Sequence, residues 1–206
     1  MLYVKVVDGI VVSNPQKLPP QPLDRVSFGT LKPSVLRAAG WYPCTFQSYS
    51  FNAEIQKEGT QTFTIQAEEV LVTTPVVYKD LVDVKKVLKA KVDLQAGLER
   101  QKYITTVPGQ ELMYAEKKVQ AKECLLDLAP DALSYPLIAL EIGINVPDTG
   151  DIVVDLHTAS QNIIDTASAW SVIAADIEAK RLTSKLGINA ALTHETSYTA
   201  SLVTWS

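Results

Sequence analysis

Residues 151–192 carry the strongest helix signal in the chain and read DIVVDLHTASQNIIDTASAWSVIAADIEAKRLTSKLGINAAL. Apolar residues recur in it at spacings of three or four, the period of one face of an α-helix. The row consists of Ile152, Leu156, Ala159, Ile163, Ala167, Trp170, Ala174 and Ile177, and Arg181 continues it. A helix over Asp151–Leu192 would be roughly 60 Å long, unless Gly187 shortens it. That is too long for a compact sphere of 206 residues, so other helices or other copies of the chain must cover the row.

We therefore predict a helix interface in this row, formed by Ile152, Leu156, Ile163, Ala167, Trp170, Ala174 and Ile177. A tryptophan at helical spacing is interpreted as an anchor in a core or an interface rather than as a platform for a ligand.

Two further helices are predicted before this one. The first begins at about Lys79, with Val84, Val87, Leu94 and Leu98 on one face and Leu81, Leu88 and Val92 beside them. Such a wide stripe suits a helical bundle better than a strict two-stranded coil. The Thr105–Gly109 segment, which contains Pro108, then forces a break or a bend. The second helix is expected at about Gln110–Leu128, with one face formed by Leu112, Ala115, Val119 and Leu126.

The first 78 residues read as a β-rich head with one short helix. Strands are predicted at Leu2–Val7, Ile10–Val12, Thr45–Phe51, Thr62–Gln66 and Glu69–Tyr78. Asp8-Gly9 is a strong turn signal between the first two, and Glu58-Gly59 is a weaker one further on. The helix is expected at Leu31–Ala39, with Pro33 near its start and Gly40 just past its end, and Trp41 should pack back onto it.

The predicted fold class is therefore α+β. It comprises a β-rich head at 1–78, a long-helix bundle at 79–193 and a C-terminal tail at 194–206 that is either a strand or disordered. The net charge of −4 is unevenly spread along this plan. Residues 79–122 are basic and residues 123–206 are acidic. This asymmetry favours either antiparallel pairing of their helices, pairing between neighbouring chains, or simply two solvated faces.

The sequence offers no catalytic constellation. Asp155 and His157 are two residues apart on a predicted helix and so point to different faces. Cys44 and Cys124 fit neither a zinc site nor a disulfide framework, and the glycines form no phosphate-binding loop. We expect no enzyme activity, no cofactor and no metal. Basic residues interleaved with acidic ones disfavour nucleic-acid binding, and neither a membrane span nor a signal peptide is expected.

Several short segments carry a family likeness. They are residues 38–43 (AAGWYP), 103–111 (YITTVPGQE) with Tyr114, Lys117 and Ala121, the Tyr135-Pro136-Leu137 triplet ahead of Glu141, and the final helix with Trp170, Ile177, Glu178, Arg181 and Leu182. With these segments the chain resembles bacteriophage tail structural proteins of the tail fibre and baseplate type. The resemblance covers about residues 30–45 and 100–190. It departs from a complete receptor-binding fibre, because no repetitive β shaft and no terminal knob follow the helices.

The resemblance implies a non-enzymatic virion protein: a short fibre, a fibre base or a baseplate adaptor. Its partners would be itself, as a homotrimer, and other tail or baseplate proteins, and it would assemble in the host cytoplasm before residing in the tail. The leading alternative is a chaperone for tail-fibre assembly that does not stay in the virion. A third reading has the head present Trp41, Tyr42 and Tyr49 to a host glycan, although aromatic clusters in a small head are more often its core.

Overall fold

The fold is α+β, as the sequence predicts, with a β-rich N-terminal part that includes a short helix and a long helical part after it. A computed structural model describes residues 1–19, 31–104, 110–144 and 152–205, with the side chains of Gln110 and Glu111 left out. The chain divides into two compact units, the β unit (Met1–Val84) and the helical unit (Lys85–Ser206). The predicted boundary lay six residues earlier, at residue 78.

The β unit contains seven strands and one helix. In chain order they are β1 (Tyr3–Val7), β2 (Ile10–Val11), α1 (Pro33–Ala38), β3 (Trp41–Gln47), β4 (Gln56–Glu58), β5 (Thr62–Ile65), β6 (Val70–Thr73) and β7 (Val76–Tyr78). Five strands form a sheet in the order β2-β1-β3-β6-β5, and β4 pairs with β7 in a separate antiparallel ladder. Within the large sheet β3 and β6 run parallel, while the other neighbours are antiparallel.

The core of this unit lies on one face of the large sheet. Val4 is opposite Tyr42, Cys44 is opposite Val70, and Phe46 is opposite Val72, so these side chains share a face because strand side chains alternate. Val4, Val70 and Val72 are fully buried. Trp41, at the start of β3, is also buried. The Lys5 ammonium lies 5.4 Å from the centre of its ring and donates to the carbonyl of Ala39.

Two predictions about the β unit are confirmed, one for a turn and one for the ends of a helix. Asp8 and Gly9 both adopt positive φ between β1 and β2, as a tight hairpin turn requires. Pro33 begins α1 and Gly40 follows it with φ +78°. A Cβ atom at Gly40 would lie 2.5 Å from the carbonyl oxygen of Val6, so the close approach of β1 requires glycine there.

The strands of this unit differ from the prediction in three places. The strand predicted at Thr45–Phe51 is β3, which begins four residues earlier and pairs with β1 through Pro43 before it pairs with β6. The single strand predicted at Glu69–Tyr78 is divided into β6 and β7, because Pro75 lacks the N–H that a continuous ladder needs. β4 was missed, since its sequence Gln-Lys-Glu has no apolar alternation.

The helical unit is organised around one long helix. Its helices are α2 (Leu81–Gln101, within this unit from Lys85), α3 (Gln110–Leu126), α4 (Pro136–Ala139), α5 (Leu156–Ala190) and α6 (His194–Ser201). α5 has 35 residues and is therefore roughly 52 Å long. It begins five residues later than predicted, where the Asp155 carboxylate accepts a hydrogen bond from the Thr158 N–H at 2.7 Å. This is an N-cap.

α2 and α3 both run antiparallel to α5. Lys89 of α2 reaches Asn189 and Arg100 reaches Glu178, so numbers rise on α2 as they fall on α5. The end of α3 lies beside the start of α5, where the Cys124 thiol donates to the Leu156 carbonyl. Therefore α2 lines the C-terminal half of α5 and α3 lines the N-terminal half. The bend predicted around Pro108 lies outside the described residues.

The predicted tail strand is wrong. Residues His194–Ser201 form α6, which starts with a capping box between Thr193 and Thr196. α6 packs on the end of α5, where the Cβ of Ala200 comes within 3.1 Å of where a Cβ on Gly187 would lie. The Ser184 hydroxyl of α5 donates to the Ala200 carbonyl at 2.6 Å. The alternation of apolar and polar residues suggested a strand, but the capping box at Thr193 and Thr196 starts a helix instead.

Candidate assembly surface

α5 presents one continuous row of side chains that contains no exposed residue. This inner row has alternating spacings of four and three and consists of Leu156, Ser160, Ile163, Ala167, Trp170, Ala174, Ile177, Arg181, Ser184 and Ile188. Such spacing is the a/d pattern of a coiled coil. Ile177, Ser184 and Ile188 are buried toward one end, and Leu156 and Ser160 toward the other. The row therefore packs against the other helices of the same chain.

The seven residues predicted as an interface fall into three groups. Leu156 and Ile177 are buried. Four are half-buried, namely Ile163, Ala167, Trp170 and Ala174. Ile152 lies before the helix and is 60 % exposed. Six of the seven thus share the inner row, and whether they also touch another copy of the chain stays a prediction.

The N-terminal end of the inner row closes a small hydrophobic core. The buried residues of this core are Ala121, Cys124, Ile138, Val153, Leu156 and Ala159. The Tyr135-Pro136-Leu137 triplet borders it: the Leu137 N–H donates to Gln120 Oε1 at 3.1 Å, and the Tyr135 hydroxyl to Asp127 Oδ2 at 3.1 Å. Burial and the hydrogen bond to Asp127 raise the pKa of Tyr135. This triplet therefore links α4 to the end of α3.

Trp170 lies near the middle of the inner row. Its ring is tilted by 33° to that of Tyr103, with 6.1 Å between the ring centres. This separation and tilt fall in the range that favours aromatic pairs. Within the helical unit Trp170 thus serves as a packing anchor, which is the role expected from its spacing.

A network of ion pairs joins α2 to α5. Asp93 of α2 pairs with Arg181 at 2.6 Å and with Lys185 at 2.7 Å, and Arg100 pairs with Glu178 at 2.5 Å. Arg181 also binds Glu178 of its own helix through two nitrogens, at 2.9 and 2.7 Å. α2 contributes an acidic partner, Asp93, to some of these pairs and a basic partner, Arg100, to another. The uneven charge of the two segments therefore does not by itself explain the antiparallel pairing.

The network shifts the pKa values of its members. The guanidinium of Arg181, then that of Arg100, lowers the pKa of Glu178 to about 2. The same contact with Glu178, followed by that with Asp93, raises the pKa of Arg181. Hydrogen bonds from Lys185 and Arg181 lower the pKa of Asp93. The spacing of the row predicts the position of Arg181, but the ion pairs of Arg181 were not predicted. The available signal was Glu178 three residues before Arg181, a spacing that joins side chains on one helix face.

The rows predicted for α2 and α3 are mostly exposed, although the wide stripe predicted on α2 also contains the residues that are buried there. On α2, Val87, Leu94 and Leu98 are exposed, while Val84, Leu88 and Val92 are buried. On α3, the predicted row of Leu112, Ala115, Val119 and Leu126 is exposed throughout. The buried residues of α3 are Ala121 and Cys124. Both are small, so periodicity weighted by hydrophobicity selects the outer row instead.

The outer row of α3, defined here as Leu112, Ala115, Val119, Lys122 and Leu126, is a largely apolar helix face that is exposed in the described part of the chain. Leu112 is 78 % exposed, Val119 49 % and Leu126 84 %. Two leucines that follow the helix are also exposed, Leu128 at 99 % and Leu133 at 93 %. Contiguous apolar surface of this kind marks interaction sites in soluble proteins.

The residues considered for chemistry lie apart. The His157 ring is exposed and its Nε2 is 3.0 Å from the Asp127 carbonyl oxygen, not beside Asp155, which caps α5. His194 begins α6, and Cys44 and Cys124 are free thiols. Burial raises the pKa of Cys44. In the described part of the chain, no three His, Cys, Asp or Glu side chains come together as a metal site would need.

Two open clefts accompany these features. One, in the β unit, is lined by Pro43, Gln66, Ala67, Glu68 and Glu69; there Glu68 pairs with Arg37 and Glu69 accepts from the Thr45 hydroxyl. The other runs between α5 and α6. In the second cleft the Ser184 hydroxyl donates to the Ala200 carbonyl and the Lys180 ammonium pairs with Asp176.

No family model, no curated protein and no solved structure matches the chain. None of the described helices has the length and apolar character needed to cross a membrane.

Proposed function

We propose that this chain is a non-enzymatic structural component of a bacteriophage tail that assembles with copies of itself through its helices. The observation that supports self-assembly most strongly is the outer row of α3. A helix that already packs against α5 through Ala121 and Cys124 keeps a second apolar face uncovered, and burying each leucine there would contribute on the order of 1.5–3 kcal/mol.

The long antiparallel pairing of α2 and α3 with α5 also suits a structural part. Ion pairs at one end and a hydrophobic core at the other fix the helices against one another. Rigid helices of this length can hold an outer face in a fixed register along roughly 50 Å, which a connecting or spacing element requires. The identification with a phage tail rests on the short sequence segments described above, Tyr135-Pro136-Leu137 among them.

Light scattering of the purified chain over a range of concentrations tests the assembly. We expect a defined oligomer, for which the resemblance implies a trimer, with a mass that does not change on moderate dilution. A monomer at every concentration would rule out self-assembly as the purpose of the helices.

Quantitative mass spectrometry of purified phage particles that encode the chain tests the virion role. A structural protein is present in a fixed ratio to the other tail proteins. An assembly chaperone, whose helices would serve a transient partner, is abundant in infected cells but absent from the particles. That second outcome would replace the structural proposal with the chaperone.

A further inference from the structure

The outer row of α3 has the spacing of a coiled-coil seam. Leu112, Val119 and Leu126 are separated by seven residues each and occupy one heptad position. Ala115 and Lys122 occupy the position three residues later. An a/d pattern of this kind receives the side chains of a facing helix. In the described part of the chain no helix covers the leucines and Val119, which remain exposed, so this row is open to a helix of another molecule.

The charges beside the row indicate which helix that is. Lys118 occupies the position before Val119, and Glu123 the position after Lys122, which are the g and e positions of the heptad. In a parallel coiled coil, a g residue of one chain faces the e residue five places later in the other. Lys118 of one copy would thus face Glu123 of the next. In the heptad before it, glutamates occupy both corresponding positions, Glu111 and Glu116, and would repel each other across a parallel seam, so the attraction is confined to the Lys118–Glu123 contacts.

Lys118 and Glu123 cannot satisfy one another within a single helix. Residues five apart lie on different faces, since only spacings of three and four bring side chains together. Glu123 is exposed and Lys118 half-buried. Neither belongs to an ion pair among the described residues, whereas the adjacent Lys117 pairs with Glu141. The complementary charges are therefore available to a second copy.

We propose that α3 pairs in parallel with α3 of a second copy of the chain, through the outer row and the reciprocal contacts of Lys118 with Glu123. This inference rests on the proposed self-assembly and gives it a surface and a direction. The seam from Leu112 to Leu126 spans roughly 21 Å.

Disulfide cross-linking tests the direction. Leu112→Cys and Leu126→Cys are made separately in a Cys44→Ser background, with the buried Cys124 retained, and each is oxidised mildly. A parallel seam places identical residues together, so each variant alone should form a covalent dimer. Cross-linking only in a mixture of the two variants would mean an antiparallel seam and would overturn the proposal. Val172→Cys, on an exposed part of α5, is the control and should form no covalent dimer under the same oxidation.

Charge reversal tests the specific contact. Lys118→Glu or Glu123→Lys alone should weaken self-association about tenfold at low salt, because two attractive pairs become repulsive. The double variant Lys118→Glu/Glu123→Lys restores both pairs and should recover the association. Equal loss in the single and double variants would overturn the reciprocal contact, and circular dichroism of all three shows whether the helices remain folded.

These results separate the two proposals. If the wild-type chain is a monomer by light scattering, self-assembly and the parallel seam both fail. If it is an oligomer while neither Leu112→Cys nor Leu126→Cys cross-links alone, the seam fails and self-assembly stands.

Discussion

At the scale of single residues, replacing glycine by alanine at two positions should change the free energy of unfolding in opposite directions. Gly40 has positive φ and lies against the Val6 carbonyl, while nothing lies within 4 Å of a Cβ on Gly97, in the middle of α2. Gly40→Ala should therefore lower the free energy of unfolding of the β unit by about 1–3 kcal/mol. Gly97→Ala should raise that of the helical unit by up to about 1 kcal/mol. Urea denaturation of both variants measures these changes, and a loss of stability in Gly97→Ala would contradict the open environment at that position.

Glu178 predicts a dependence of stability on pH. Because folding lowers its pKa from 4.5 to about 2, the unfolded chain takes up a proton at a higher pH than the folded chain does. The stability that Glu178 contributes is therefore complete above about pH 4.5 and is lost as the pH falls toward 2. Glu178→Gln should lower the melting temperature at pH 7, and the difference from wild type should shrink between pH 4.5 and 2.

The matched control is Asp165→Asn, on the same helix. Asp165 accepts a hydrogen bond from Gln161 but has no ion pair among the described residues. Its replacement should change the melting temperature little at either pH. A difference for Glu178→Gln that stayed constant from pH 7 to pH 2 would mean that the carboxylate charge contributes nothing to the pairing of α2 with α5.

At the scale of elements, inner and outer rows should respond differently to the same substitution. Leu88 is fully buried on α2, and Leu126 is 84 % exposed on α3. Leu88→Ala removes buried atoms and leaves a cavity, so it should lower the free energy of unfolding by about 2–5 kcal/mol. Leu126→Ala should change the stability of the dilute chain by at most about 0.5 kcal/mol while weakening self-association. Equal stability losses would mean that Leu126 packs within the single chain.

The elements also show which parts of the fold sequence can predict. The Asp8-Gly9 turn, the limits of α1 and the existence of α2, α3 and α5 follow from local signals: positive-φ residues, caps and a long apolar period. The choice between two apolar rows on α2 and α3 does not follow, because it depends on α5, which is distant in sequence. α6 was missed since its capping residues, Thr193 and Thr196, lie within a stretch that also alternates like a strand.

At the scale of the whole molecule, composition and periodicity were sufficient for the α+β class and for the order of the two parts. Only part of the candidate surface could be predicted from the sequence. The inner row of α5 was found with Trp170 as its anchor. The ion pairs between the helices, of Asp93 with Arg181 and of Arg100 with Glu178, were not, because they join residues 88 and 78 positions apart that only the antiparallel arrangement brings together. The outer row of α3 was predicted as one face of the helix, but sequence alone does not tell which apolar face a neighbouring helix will cover.

The placement of tryptophans gives the molecule two optical reporters. Trp41 is buried in the β unit under the ammonium of Lys5, and Trp170 lies beside Tyr103 in the helical unit. The third tryptophan is Trp205. In a Trp205→Phe background each unit keeps one tryptophan, and a further Trp41→Phe or Trp170→Phe change would leave a single emitter in the chain. Its emission wavelength, followed through a denaturant titration, would then report the melting of the sheet and of the helices as separate signals from an unlabelled chain.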